Sequence, residues 1–241
     1  MKIERYGSGV PLVFIHGAGG STLSWAFQKT FFEGSRTVFL VDLPGHGNSS
    51  GPSFDSIAGY TDTLKDALED NASQAAFVVG HSMGGAIAMD LAMRYPALVK
   101  GVVLIGTGAR LKVYPAILDG ILKETEKTAR MIIDTAFSPA SPEKLKERVF
   151  AEYIKNDPQT VFNDFRACDG FNMMGRLDSL SVPALVICGK EDRFTPVKYS
   201  HYLTDTIPGA GLVLVEGAGH MVMIERPADV NSAIQAFLER S

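Results

Sequence analysis

Ser82 has a glycine two residues away on each side, in Gly80-His81-Ser82-Met83-Gly84. A short apolar run, Ala75 to Val79, precedes it, and a segment rich in small residues follows until Pro96. The pattern reads as a buried strand, a tight turn that carries the serine, and a helix. A serine held on such a turn needs small neighbours, because the strand end and the first helical turn pack closely. The turn lifts the hydroxyl toward a cleft. The helix N-terminus brings unpaired backbone N–H groups beside it, which suits a developing oxyanion. A glycine-rich turn that merely contains a serine fits the same positions, so the chemistry rests on finding a base and an acid elsewhere in the chain.

His220 and Asp192 meet that need. Gly217-Ala218-Gly219-His220 follows the apolar run Leu212 to Val215, and its small residues free the imidazole to point into a cleft. Asp192 follows Val182 to Cys188 by four residues and precedes a turn limited by Pro196. A free serine is a poor nucleophile. It needs a base to take its proton, and the histidine needs an acid to fix its tautomer and to stabilise the imidazolium. Glu191 is the fallback acid. His81 sits next to the serine but points differently on the turn, and His201 lies on a helix, as surface or packing. Gly106-Thr107-Gly108-Ala109, after the next strand, offers no acid.

These residues must be placed by a sheet. Residues 2–6 read as a short strand at or near an edge. Residues 11–15, 38–41, 101–105, 182–188 and 212–215 are apolar runs of the kind found in parallel sheets covered on both faces. In such a sheet the C-terminal strand ends share one edge, so Ser82, Asp192 and His220 can meet there. His16-Gly17-Ala18-Gly19-Gly20 fits neither nucleotide-binding glycine pattern and is read as a loop of backbone donors beside the serine. The oxyanion donors are then the N–H groups of Met83 and Ala18. Asp42 and His46, around Leu43-Pro44-Gly45, are read as structural, orienting their loop through its backbone. Residues 55–70 and 228–239 have helical periodicity, and residues 23–33 form an aromatic-rich segment packed on the sheet, with Trp25 assigned to the core ahead of a cleft wall.

Residues 110–175 lose all strand-like alternation. Pro139, Pro142 and Pro158 divide them into helical pieces too apolar for a linker. They are read as a helical cap over the cleft, inserted in a core domain of residues 1–109 and 176–241. The Phe, Met, Ile and Tyr content of the cap predicts an apolar lining and a small to medium, mainly uncharged substrate. Arg110, Arg130 and Arg166 are the basic residues there that could face it.

The net charge of −4 and the scattered basic residues point away from nucleic acid and anionic membranes as partners. No leader precedes the first strand and no apolar stretch approaches a membrane span, so the expected setting is reducing and cytoplasmic. Cys168 and Cys188 are read as small buried hydrophobes. The five histidines form no metal-ligand spacing, and no metal or cofactor is expected. The expected state is a monomer or homodimer.

Taken together, the glycine-rich loop at 16–20, Asp42-Leu43-Pro44-Gly45-His46-Gly47-Asn48-Ser49, the Ser82 turn, Gly189-Lys190-Glu191-Asp192-Arg193 and Gly217-Ala218-Gly219-His220 resemble the α/β-hydrolase superfamily. The details are similar to its small carboxylesterase, enol-lactonase and cofactor-free haloperoxidase branch. The resemblance implies a three-layer α/β/α fold with a mostly parallel sheet of seven or eight strands; only one strand fits before Pro11, which favours seven. It implies Ser82 as nucleophile, Asp192 as acid, His220 as base and Ala18 and Met83 as the oxyanion hole. The expected activity is hydrolysis of a carboxylic ester through an acyl-enzyme. Lactone opening, thioester hydrolysis, C–C bond hydrolysis and perhydrolysis are alternatives on the same residues, and a non-catalytic ligand-binding protein is a remote one. Aspartate-nucleophile dehalogenases and epoxide hydrolases are disfavoured by Ser82 itself.

Overall fold

The computed structural model describes residues 1–72 and 74–240 of the 241-residue chain. Seven strands form one sheet: β1 (Lys2–Tyr6), β2 (Pro11–Ile15), β3 (Thr37–Asp42), β4 (Ala76–His81), β5 (Val99–Ile105), β6 (Ala184–Gly189) and β7 (Gly211–Val215). Their order is β1-β3-β2-β4-β5-β6-β7. β1 is antiparallel to β3 at one edge, and every other pairing is parallel. Strands β2 to β6 are buried almost throughout, because both faces are covered. Successive side chains therefore feed two different cores. Val13 and Ile15 join one, beneath α2 (Ile57–Asn71), α3 (Met83–Arg94) and α8 (Val197–Thr206). Leu12 and Phe14 join the other, beneath α1 (Ala26–Phe32), α9 (Val222–Glu225) and α10 (Pro227–Leu238). The result is the three-layer α/β/α arrangement.

The aromatic segment before β3 divides by helical geometry. Trp25 and Phe32 pack on the sheet, their rings 5.0 and 6.3 Å from that of Phe14. Leu23, Phe27 and Phe31, spaced by four residues, fall on the opposite side and stay exposed, so only half of this segment packs on the sheet as the composition suggests.

Between β5 and β6 the chain makes four α-helices: α4 (Pro115–Gly120), α5 (Thr125–Ala136), α6 (Glu143–Tyr153) and α7 (Pro158–Gly170). They hold a small core of their own, including Ile121, Ile133, Phe137, Tyr153 and Val161. Ala167 and Cys168, on the last turns of α7, belong instead to the sheet's core and seat the insertion on it. A bridge between Arg110 and Asn172 and the bond from Met173 N–H to Ala109 O (2.7 Å) close its base. Among the described residues, no helix is long and apolar enough to cross a membrane. Cys168 and Cys188 are buried and unpaired with each other.

The strand order reverses between β2 and β4, since β2 leads outward to β3 and β4 leads the other way. The loops after β2 and β4 diverge there and leave a crevice at the carboxyl edge. Gly17 lies on one side of that crevice and Ser82 on the other.

Candidate active site

Ser82 joins β4 to α3 with φ +53° and ψ −114°, and among the described residues it is the one non-glycine residue with positive φ. The turn is held from both sides: Ser82 N–H donates to Ile105 O (2.9 Å), and the Thr107 hydroxyl donates to Ser82 O (2.8 Å). The flanking glycines are required by contact. A Cβ on Gly84 would lie 2.3 Å from Ile15 O, and one on Gly80 would lie 2.1 Å from Gly84 O. Backbone cannot yield as a side chain end can. Gly84→Ala is expected to lower stability by about 2 kcal/mol or more, measured by urea unfolding.

Asp192 and His220 meet as their strands direct. His220 Nδ1–H donates to Asp192 Oδ2 (2.8 Å). The Thr195 hydroxyl donates to the same oxygen (2.8 Å), while Phe194 N–H and Thr195 N–H donate to Oδ1 (2.9 and 2.8 Å). Burial opposes ionisation of Asp192, but the charge of His220 and these hydrogen bonds outweigh it and bring its pKa down to about 2. The carboxylate therefore fixes the proton on Nδ1 and leaves Nε2 as the acceptor. His220 is held at its backbone too, with N–H to Ala136 O (2.6 Å), and Glu225 Oε2 accepts from Gly219 N–H (2.8 Å) just before it. Glu191, the fallback acid, accepts from the Ser138 hydroxyl (2.6 Å). His81 is buried, with Nε2–H donating to His220 O (3.0 Å), and burial together with the neighbouring His220 lowers its pKa to about 3. It is a neutral brace under the His220 backbone. His201 lies exposed on α8.

The loop after β2 runs against this turn, so closely that a Cβ on Gly17 would lie 3.2 Å from Ser82 Cβ. Its conformation follows from its hydrogen bonds. Leu43 N–H donates to His16 Nε2 (3.1 Å), so Nδ1 carries the proton and donates it to Gly17 O (2.8 Å). Burial and the nearby His46 push the His16 pKa down to about 3, which keeps the ring neutral in that tautomer. Gly20 N–H also donates to Gly17 O (3.0 Å). In a trans peptide N–H and C=O point opposite ways. Two donors on Gly17 O therefore aim the Ala18 N–H the other way. Met83 opens α3, so its N–H has no acceptor within the helix.

Asp42 accepts from Thr22 N–H (2.8 Å) and Asn48 N–H (2.9 Å), binding the loops after β2 and β3 together. His46 does more than order its own loop. Its ring faces Pro44 O (3.1 Å) and the Asp164 carboxylate of α7 (2.7 Å). Burial opposes its charge, but Asp164 and Pro44 O prevail and hold its pKa above the ordinary value. Asp164, Thr195 and Glu225 were not among the residues that sequence patterns single out. One signal for Asp164 exists: it shares the buried stripe of α7 with Thr160, Val161, Ala167 and Cys168, where a carboxylate needs partners.

Ser82, His220 and Ala18 line one cavity of about 880 Å³. Ile117, Ile133, Val149 and Phe165 of the inserted helices line it as well, with Phe194 and Met221 from the sheet loops. Arg110, Arg130 and Arg166 are not among its lining residues; Arg130 pairs with Glu147 (2.8 Å) and lies over the Phe150 ring. Arg148, which the composition of this segment did not single out, does reach the cavity, with an exposed side chain. Among the described residues no group of three or more His, Cys, Asp or Glu side chains is placed to hold a metal.

Residues 12–233 match the profile of the alpha/beta hydrolase family. The chain belongs to that family. An uncharacterised protein of Mycobacterium tuberculosis is 26% identical over 97% of the chain and 76% of its own length. The solved structure of a thermophilic esterase is 33% identical, with a TM-score of 0.87 over 99% of this chain and 98% of that one. A structure described as Est816, an N-acyl homoserine lactone degrading enzyme, is 28% identical, with a TM-score of 0.89 over 98% of this chain and 96% of that one. The hydrolase fold is thus shared with esterases and a lactone-degrading enzyme.

Proposed function

We propose that this hydrolase cleaves carboxylic esters of small to medium, mainly apolar substrates through an acyl-enzyme on Ser82. The observation that carries the reading is the strained Ser82 in one cavity with a histidine whose Nδ1–H is held by an ionised, four-donor Asp192. His220 Nε2 takes the hydroxyl proton as Ser82 attacks the carbonyl carbon. The Ala18 and Met83 N–H groups receive the tetrahedral oxyanion. His220 returns the proton to the leaving alcohol, then activates the water that releases the acid. Residues 110–175 act as the cap: their apolar side chains favour uncharged acyl or aryl groups and exclude water from the oxyanion.

The test is a series of para-nitrophenyl acetate, butyrate and octanoate, with mass analysis of the Ser82 peptide after a stopped turnover. Turnover with an acyl mass on that peptide is expected. No turnover of any member, with Ser82 still accessible to a fluorophosphonate, overturns the ester reading in favour of ligand binding. Lactone opening is the second reading, favoured by the 28% identical lactone-degrading relative, and an N-acyl homoserine lactone added to the series separates it.

A further inference from the structure

Three successive peptide units of the loop after β2 are held in place, and the inserted helices supply half of the holding bonds. The unit joining Gly17 to Ala18 is fixed locally, through Gly17 O, by His16 and Gly20. The unit joining Ala18 to Gly19 depends on the insertion, and the unit joining Gly19 to Gly20 is held by that same Gly20 N–H on one side and by the insertion on the other. Gly19 N–H donates to Asp164 Oδ2 (2.8 Å), and Gly19 O accepts from Asn156 Nδ2 (2.8 Å). The Tyr153 ring covers Gly19 so closely that a Cβ there would lie 2.4 Å from its Cε2 atom. Gly19 has φ +64°, so the turn has a left-handed residue at the point where the three side chains meet it. Tyr153 ends α6, Asn156 lies between α6 and α7, and Asp164 is on α7.

Asp164 is itself fixed. Its Oδ2 also accepts from His46, its Oδ1 accepts from the Tyr60 hydroxyl (2.5 Å), and its side chain has no exposure. It thus connects the loop after β2, the loop after β3, α2 and the insertion in one buried set of hydrogen bonds. Neither Asp164 nor Asn156 has a place in the steps of ester cleavage described above. Both act on Gly19, the residue after the Ala18 donor.

We propose that Asn156 and Asp164 are positioning residues that aim the Ala18 N–H at the oxyanion, so that the inserted helices complete the oxyanion hole as well as walling the substrate cavity. The inference rests on the ester-hydrolase reading. A donor misaimed by a fraction of an ångström is weakened in the transition state, where the oxyanion is fully charged, far more than in the ground state. The effect therefore falls on kcat and spares KM.

Asn156→Ala removes the Nδ2 bonds to Gly19 O and to Tyr153 O (2.8 Å each) from a half-buried side chain and is the variant chosen to stay folded. Asp164→Ala and Asp164→Asn form the second pair. In the amide, the carbonyl oxygen can take the Oδ2 place and still accept from Gly19 N–H. With para-nitrophenyl butyrate, kcat of Asn156→Ala is expected to fall about 10-fold with KM within about twofold, and inhibition by a trifluoromethyl ketone to weaken by the same factor. Asp164→Asn should recover most of the kcat lost in Asp164→Ala, both corrected for the folded fraction from circular dichroism. Unchanged kcat in Asn156→Ala, or a loss carried by KM alone, overturns the proposal. So does equal loss in the two Asp164 variants. Absence of turnover in the wild-type protein overturns the ester reading instead, and the inference with it.

Discussion

Ser82→Ala is expected to cut ester turnover by about 10³-fold or more, to the level that binding and the oxyanion donors sustain alone. It should also abolish labelling by a fluorophosphonate. The fold should survive, because alanine keeps the Cβ, and the bonds that hold the turn, from Ser82 N–H to Ile105 O and from Thr107 to Ser82 O, use no side chain atom of Ser82. It also keeps the strain. A side chain at φ +53° costs on the order of 1–3 kcal/mol, which glycine avoids. Glycine gives back roughly 0.5–1 kcal/mol through the freedom of the unfolded chain. Ser82→Gly is therefore expected to be more stable than Ser82→Ala by about 1 kcal/mol, with both inactive. Urea midpoints of the three proteins measure this. An alanine variant that still labels at the wild-type rate would move the nucleophile elsewhere, and a glycine variant less stable than the alanine one would mean that the turn stores no strain.

The residues at strand ends are legible in the sequence for a definite reason. A strand buried on both faces is a continuous apolar run, so the polar residue that follows it is conspicuous. Ser82 and Asp192 each follow such a run; His220 follows β7, an apolar edge strand that is only partly buried and not covered on both faces as the sequence suggests, and parallel pairing brings the three ends to one edge. Gly80 and Gly84 are visible because contact with backbone excludes any larger residue. Asp164 and Asn156 are hidden by distance. Asp164 meets Gly19 across 145 residues and Tyr60 across 104, and no local pattern encodes where α7 will lie against the sheet. Thr195 escapes for a different reason. A threonine three residues after an aspartate resembles ordinary turn chemistry, and only the shared Oδ2 shows that it competes for the oxygen that holds His220. Leu23, Phe27 and Phe31 mislead in the other direction, since aromatic content suggests burial while their spacing of four puts them on the outer side of the segment.

Asp192→Asn is expected to cost about 10³–10⁴-fold in kcat, with little change in KM. The four donors around the carboxylate determine how. Phe194 N–H and Thr195 N–H both point at Oδ1, so the amide oxygen of asparagine must take that position. The amide NH₂ then occupies the Oδ2 position, facing His220 Nδ1. Two donors cannot share that contact, and the imidazole moves its proton to Nε2, where it can no longer accept from Ser82. Thr195 can rotate its hydroxyl to accept, so it does not oppose the exchange. Acid stability changes with the same substitution. Folding lowers the Asp192 pKa from 3.8 to about 2, so the carboxylate contributes stability that is complete above the unfolded value and is lost as pH falls toward the folded one. Near neutral pH the asparagine variant should be less stable than wild type by about 2 kcal/mol, and the difference should close between pH 4 and about 2. Urea midpoints measured across that range give the slope. Parallel curves for the two proteins would show that Asp192 is not the group whose protonation weakens the fold in acid. An active Asp192→Asn variant would show that His220 takes its tautomer from another partner.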